Sequence, residues 1–148
     1  MSYRVLAPEA DRGDADAGLR PQRLDDFIGQ AAEKANLDLV TQFCAAWKSR
    51  DAAKIGAFLH DDCVVRFTAT RDESKPVLGR QGVTDQVGKY LAGASIEFLV
   101  QESYAKGPLV INRRVDTVAS PKGKQDIAVV GMFYLRGGKI KEWLDFEV

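Results

Sequence analysis

Val110-Ile-Asn-Arg-Arg-Val-Asp-Thr-Val118 and, nine residues on, Ile127-Ala-Val-Val-Gly-Met-Phe-Tyr-Leu-Arg-Gly-Gly-Lys-Ile-Lys-Glu-Trp-Leu-Asp-Phe-Glu-Val148 decide how this chain reads. Both blocks are dense in β-branched and aromatic residues, and Pro121-Lys-Gly-Lys124 and Arg136-Gly-Gly-Lys139 punctuate them. That pattern predicts three consecutive antiparallel strands joined by tight turns. Alternate residues of a strand share a face, so Val110, Asn112, Arg114, Asp116 and Val118 fall together, as do Trp143, Asp145 and Glu147 on the last strand. A guanidinium and two carboxylates are thus placed to share one sheet surface.

Upstream the period changes. Leu37, Val40, Phe43, Cys44 and Trp47 form one helical stripe, which predicts a helix over about residues 30–49 lying on the sheet. Asp51 is placed to cap a second helix with Ile55, Phe58 and Leu59 facing inward and His60, Asp61 and Asp62 at its end. A lone histidine in that position reads as a solvated end group. Cys63 to Thr70 alternates as a strand, with Val65, Phe67 and Ala69 on one face, and Arg71 to Pro76 reads as a loop. Gly79-Arg-Gln-Gly82 opens a third helix whose Val83, Val87, Tyr90 and Leu91 make one stripe. Ile96 to Tyr104 starts the main sheet. Three helices followed by a long antiparallel sheet is an α+β pattern, and a bent sheet with helices over its concave side leaves a pocket in the middle.

At 148 residues, 45% hydrophobic and 28% charged, the chain has length for one domain with a sizeable core. Twenty-one basic and 21 acidic residues give no net charge, hence no global field toward nucleic acid or an anionic membrane. No apolar run approaches the roughly 20 residues of a bilayer span, and a secretory core is lacking, so a cytoplasmic address is expected. Cys44 and Cys63 have neither metal nor redox spacing and read as small buried hydrophobes. Residues 1–30 differ in character: Met1 to Arg20, rich in Ala, Asp, Gly and Arg, predicts a partly flexible extension or extended arm. Within it, Leu19-Arg-Pro-Gln-Arg-Leu-Asp-Asp-Phe-Ile-Gly-Gln30 resembles the opening segment of bacterial Holliday-junction branch-migration ATPases. The chain has no glycine-rich phosphate loop ending in Lys-Ser/Thr, so the likeness reads as coincidence or a local borrowing. Leu24, Phe27 and Ile28 are spaced to pin a short helix onto the domain or a dimer partner.

Arg114-Val-Asp116, the Gly131-Met-Phe strand, Gly138-Lys-Ile140 and Trp143-Leu-Asp145, together with Ser49-Arg-Asp-Ala-Ala-Lys54 and Gly79-Arg80, resemble the limonene-1,2-epoxide hydrolase family of the NTF2-like superfamily. The resemblance covers roughly residues 31–148. It implies a cone of curved, mixed, mainly antiparallel sheet with three helices over its concave face. It also implies cofactor-free, metal-free addition of water to a small apolar or terpenoid epoxide. In that chemistry one carboxylate takes a proton from water while a carboxylic acid gives one to the departing oxygen. The resemblance assigns Asp145 as base, Asp116 as acid and Arg114 as the bridge orienting both. Substrate contacts are expected from Trp143, Val65, Phe67, Ile127, Val129, Tyr90 and Asn112. Val65 and Phe67 stand where the family carries a tyrosine and an asparagine that hold the water, and Glu147 is expected to add charge near the pocket mouth. A homodimer is implied, with Leu109, Ile111, Val115, Phe133 and Leu135 as an outer apolar patch.

Three readings stay open on the residues alone. Besides hydrolysis, a proton-shuttling SnoaL- or ketosteroid-isomerase-like enzyme and a non-catalytic binding or dimerisation domain fit the same pocket. The bland alternative for Arg114, Asp116 and Asp145 is an ordinary cross-strand ion pair on a solvated face.

Overall fold

The computed structural model describes residues 2–5, 24–67 and 75–148, with the backbone alone for residues 2–5 and 24–28. The three-strand meander is its centre. Strand β5 (Leu109–Ser120) pairs antiparallel with β6 (Gly123–Arg136), and β6 with β7 (Lys139–Glu147). Gly137 and Gly138 join the last two with φ of 59° and 72°, the twin left-handed backbone that a two-residue hairpin matched to strand twist demands. Strand β4 (Ser95–Lys106) pairs with β5 on the other side.

The rest of the sheet extends this core on both sides, and two of the added pairings are parallel and join distant parts of the chain. Strand β2 (Leu59–Phe67) runs parallel to β7, β3 (Val77–Leu78) pairs antiparallel to β2, and β1 (Ser2–Val5) runs parallel to β4. Among the described residues seven strands form the sheet, in the order β1-β4-β5-β6-β7-β2-β3. Three helices complete the α+β cone: α1 (Leu24–Ala46), prolonged by a 3-10 turn over Trp47–Ser49, α2 (Ala52–Gly56) and α3 (Gly79–Gly93). Helix α1 packs on β4 and β5, and α3 on β2 and α2.

The core sits between α1 and the inner face of the meander. Leu37, Val40, Phe43 and Trp47 are buried against Val110, Phe133, Ile140 and Trp143. Trp143 organises it: Phe133 stacks on it at 5.7 Å, and Phe43 meets it edge-on at 5.1 Å. Each such side chain taken fully from water contributes about 1.5–3 kcal/mol, with roughly 1 kcal/mol more for well-placed ring pairs.

Local expectations depart in identifiable places. Helix α1 starts at Leu24, earlier than the stripe suggested, and so crosses the expected boundary at residue 31. Helix α2 is capped by Asp51, whose side chain accepts from the backbone of Ala53 and Lys54, but it stops at Gly56. Leu59 and His60 are strand, because Leu59 pairs with Ile140, and Ile140 N–H donates to the Phe58 carbonyl. Long-range pairing with the last strand wins over the helical spacing of Phe58 and Leu59. Phe58 packs from the intervening turn, edge-on to Phe43 at 5.8 Å. His60 Nδ1 accepts from Asp62 N–H. Phe133 and Leu135, expected on the outer face, are buried in the core. Register sets them opposite Trp143 and Ile140, so β6 turns Val130, Met132 and Tyr134 outward instead. Of the N-terminal arm, Ser2–Val5 is a strand on the β4 edge. The remainder of Met1 to Arg20, the side chains of Leu24, Phe27 and Ile28, and Ala69 with most of the Arg71–Pro76 loop lie outside the described residues.

Candidate active site

Strand register brings the polar residues together. Reading across the inner face, Asn112 pairs with Gly131, Gly131 with Asp145, and Asp145 with Phe67. One step along, Arg114 pairs with Val129, and then Asp116 with Ile127. Arg114 is fully buried, and Asp116 and Asp145 are 5% and 6% exposed, so this is no solvated ion pair. The guanidinium holds both acids. Nε donates to Asp116 Oδ1 at 2.7 Å, Nη2 to Asp116 Oδ2 at 3.1 Å and to Asp145 Oδ2 at 2.5 Å. Nη1 donates to Asn112 Oδ1 at 3.2 Å. Trp143 Nε1 donates to the other oxygen of Asp145 at 2.6 Å. The ring of Phe98, the cross-strand partner of Asp116, lies under the Arg114 guanidinium at 4.3 Å, a cation–π contact.

One cation facing two buried carboxylates leaves a negative charge in a dry place, and a proton relieves it. Burial pushes the Asp116 carboxyl up to about 6, against the pull of Arg114 and with a further push from Asp145. Burial also raises Asp145, opposed by Arg114 and by the Trp143 hydrogen bond. The two acids are not equivalent. Asp145 is fixed by donors from two residues, one on each oxygen, whereas Asp116 is held by Arg114 alone. Each acid thus accepts two donated hydrogen bonds, which favour its charged form, against burial, which raises both.

Both carboxylates open onto one cavity of about 440 Å³, within the range of small-molecule sites. Its wall carries Asp116, Asp145, Phe67, Tyr90, Ile127, Val129 and Trp143, with Trp47 and Phe98 closing the aromatic side. Tyr90 stands close enough to Asp116 that the acid's charge, after burial, raises its phenol. Val65 and Asn112 do not line this cavity. Val65, fully buried, belongs to the core beneath Trp143, its register partner. Asn112 lies behind Arg114 and donates its amide to Cys44 Sγ at 3.5 Å. Arg114 is likewise a support for the carboxylates and not itself part of the wall. Glu147, the cross-strand partner of the cavity residue Val129, is exposed at the end of β7 and does not itself line the cavity.

Sequence reasoning did not mark Trp47, Phe98, Lys75 or Gln86 as cavity residues, yet all four line it. Trp47 was visible as the end of the α1 stripe, and Phe98 as a strand residue two positions into an alternating run; only the cross-strand register to Asp116 makes Phe98 part of the site. Among the described residues no cluster of three or more His, Cys, Asp or Glu is placed to hold a metal. No described helix is long and apolar enough to cross a membrane.

Residues 40–143 match the family model described as the SnoaL-like domain. Solved structures with the same fold include an LEH-like epoxide hydrolase of M. tuberculosis, 20% identical, with a TM-score of 0.70 over 78% of this chain and 84% of that one. Another is a protein of ketosteroid isomerase-like fold from Catenulispora acidiphila, bound to trimethylamine, 17% identical, with a TM-score of 0.66 over 73% and 83%. A different, local match is to the Holliday junction branch migration complex subunit RuvB of Paramagnetospirillum magneticum. It is 40% identical over 60 residues, which is 40% of this chain but 16% of that protein. The match thus spans about a sixth of that protein's length.

Proposed function

The chain belongs to the SnoaL-like domain family, and within that family we propose that it is a cofactor-independent enzyme moving protons on a small apolar substrate, in the first place an epoxide hydrolase. One observation supports this above the others: two carboxylates from different strands, bridged by one buried guanidinium, both open onto a single apolar cavity.

In the hydrolytic reading Asp145, ionised, takes a proton from a water as the water's oxygen bonds to an epoxide carbon. The carbon–oxygen bond of the ring breaks, and Asp116, protonated, gives its proton to the departing oxygen, leaving a diol. The proton gained by Asp145 then returns to Asp116 through the site. Arg114 serves throughout, because a guanidinium does not titrate in this range and holds both acids in place. The test is an epoxide panel in oxygen-18 water. Labelled diol is expected, with Asp145→Asn and Asp116→Asn each lowering kcat by about 10²–10⁴-fold without loss of fold; a folded wild-type protein that makes no diol overturns the reading.

Phe67 favours a second reading. It lies beside Asp145 at the cavity wall, and its ring cannot hydrogen-bond a water. A base against an apolar wall also suits removal of a proton from carbon next to a carbonyl, with Asp116 donating to the carbonyl oxygen. Deuterium exchange into enolisable ketones, dependent on Asp145, separates this from hydrolysis. We further propose a homodimer through the outer face of the meander, where Tyr134 and Phe146 are each 39% exposed among Ile111, Val115, Met132 and Leu144. A monomer by analytical centrifugation at micromolar concentration contradicts it.

A further inference from the structure

Arg114 and Asp145 are not neighbours in the sheet. Arg114 belongs to β5 and Asp145 to β7, with β6 between them, so their backbones stand about 10 Å apart at ordinary strand spacing. To reach Asp145 the Arg114 side chain must lie down across β6. It crosses at Gly131, the residue between Asn112 and Asp145 in the row. A Cβ at this position would run into Arg114 Nη1, and would stand 2.8 Å from Asn112 Oδ1 and 2.9 Å from Phe133 Cε2. All three are fully buried, so an added Cβ must displace at least one of them, and the guanidinium is in the hardest contact. Glycine inside a central strand costs stability and often marks close approach by another group. Its place in a run of Val129, Val130, Met132 and Phe133 has that cause here.

Asn112 completes the arrangement from the far side. Its Oδ1 accepts from Nη1 while its Nδ2 donates to Cys44 Sγ, which fixes which way the amide faces. The Cys44 thiol, pushed up to about 12 by burial, keeps its proton and stays an uncharged partner. Neither Gly131 nor Asn112 touches the cavity.

We infer that Gly131 and Asn112 are positioning residues: together they form the seat that lets one guanidinium bridge carboxylates two strands apart, and so set how the acid pair divides its proton. This rests on the reading of Asp116 and Asp145 as the working pair. The test does not need turnover. In the full-length chain, the side-chain carboxyl carbons of Asp116 and Asp145 are titrated by NMR in wild type, Gly131→Ala, Asn112→Ala and, as a control on the outer side of β6, Met132→Ala. Gly131→Ala displaces the guanidinium from Asp145, and the Asp145 midpoint is expected to rise by a unit or more. Asn112→Ala, which removes an acceptor without filling space, gives a smaller rise in the same direction, and Met132→Ala none. Where the reaction is measured, both inner variants lower kcat with little change in KM, and the acid limb of the pH profile moves up with the titration.

A folded Gly131→Ala protein with wild-type carboxyl titrations overturns the inference. Should that variant fail to fold, Asn112→Ala decides it, an unchanged midpoint being the overturning result. If wild type makes no diol while the midpoints move as stated, the reaction assignment falls and the positioning stands.

Discussion

Arg113 and Arg114 are consecutive, chemically identical, and opposite in consequence. Strand alternation sends Arg113 to the outer face, where it stands 3.6 Å from Glu102 with the two side chains 54% and 38% exposed. Arg114 goes inward, fully buried, with four hydrogen bonds to side chains and an aromatic ring beneath it. Both form cross-sheet ion pairs, so the pair itself says little. Water decides the difference. An exposed pair exchanges good hydration for a screened attraction and nets about 0–1 kcal/mol, whereas a buried charge deprived of its partner keeps its full desolvation cost.

The largest expected effect follows from removing the inner arginine. Arg114→Met leaves Asp116 and Asp145 buried with no cation, and the expected loss is about 3–5 kcal/mol by urea denaturation, with activity abolished. Part of the loss is relieved when both acids take up protons, so the variant should recover stability on acidification more than wild type does. A loss below about 1 kcal/mol would erase the distinction between the two arginines.

Next in size is a pH effect confined to the inner face. The folded chain raises Asp116 from near 3.8 to about 6, so it binds this proton more tightly than the unfolded chain does. The stability from that preference is fully present below about pH 4 and is lost as pH rises through 6. The contribution of Asp116 therefore slopes downward across this window, at most on the order of 1 kcal/mol per pH unit, and Asp145, raised for the same reason, adds in the same direction. Asp116→Asn should flatten the wild-type curve between pH 4 and 6. A curve that steepens downward in the variant would mean that Asp116 is held ionised, and the assignment of the acid would have to be exchanged.

Why the inner face was legible in sequence, and other parts were not, comes down to which distances the chain controls locally. Period-two alternation is a covalent fact, so Arg114 and Asp116 could be placed on one side of β5 without coordinates. The Gly137-Gly138 turn announces its hairpin equally directly. Which face of β6 matches the inner faces of its neighbours depends on register, and the pairing of Phe133 with Val110 and Trp143 that turns Phe133 and Leu135 inward is not written in the spacing of β6 itself. The parallel pairing of β2 with β7, about 80 residues apart, has no local signature, and it alone explains why α2 ends at Gly56 and why Phe67 faces Asp145. Gly131 was readable as part of a strand motif, but its use as a crossing point needs the third dimension.

The smallest effect is the most informative about what covers the sheet. In an isolated chain, Arg113→Ala should cost under about 1 kcal/mol at low salt and nothing measurable at 1 M salt, where charges are screened beyond about 3 Å. The Arg114 loss should persist in the same salt, because water and ions do not reach it. Arg113 shares its face with Ile111 and Val115, the face proposed to meet a second copy. If that face is covered in solution, Arg113 and Glu102 are drier than they look in one chain. The cost of Arg113→Ala would then grow with protein concentration and resist salt. Measuring it at two concentrations and two salt levels thus separates an outer face left to solvent from one that is the inside of a dimer, and only in the first case does the contrast between the two arginines hold in full.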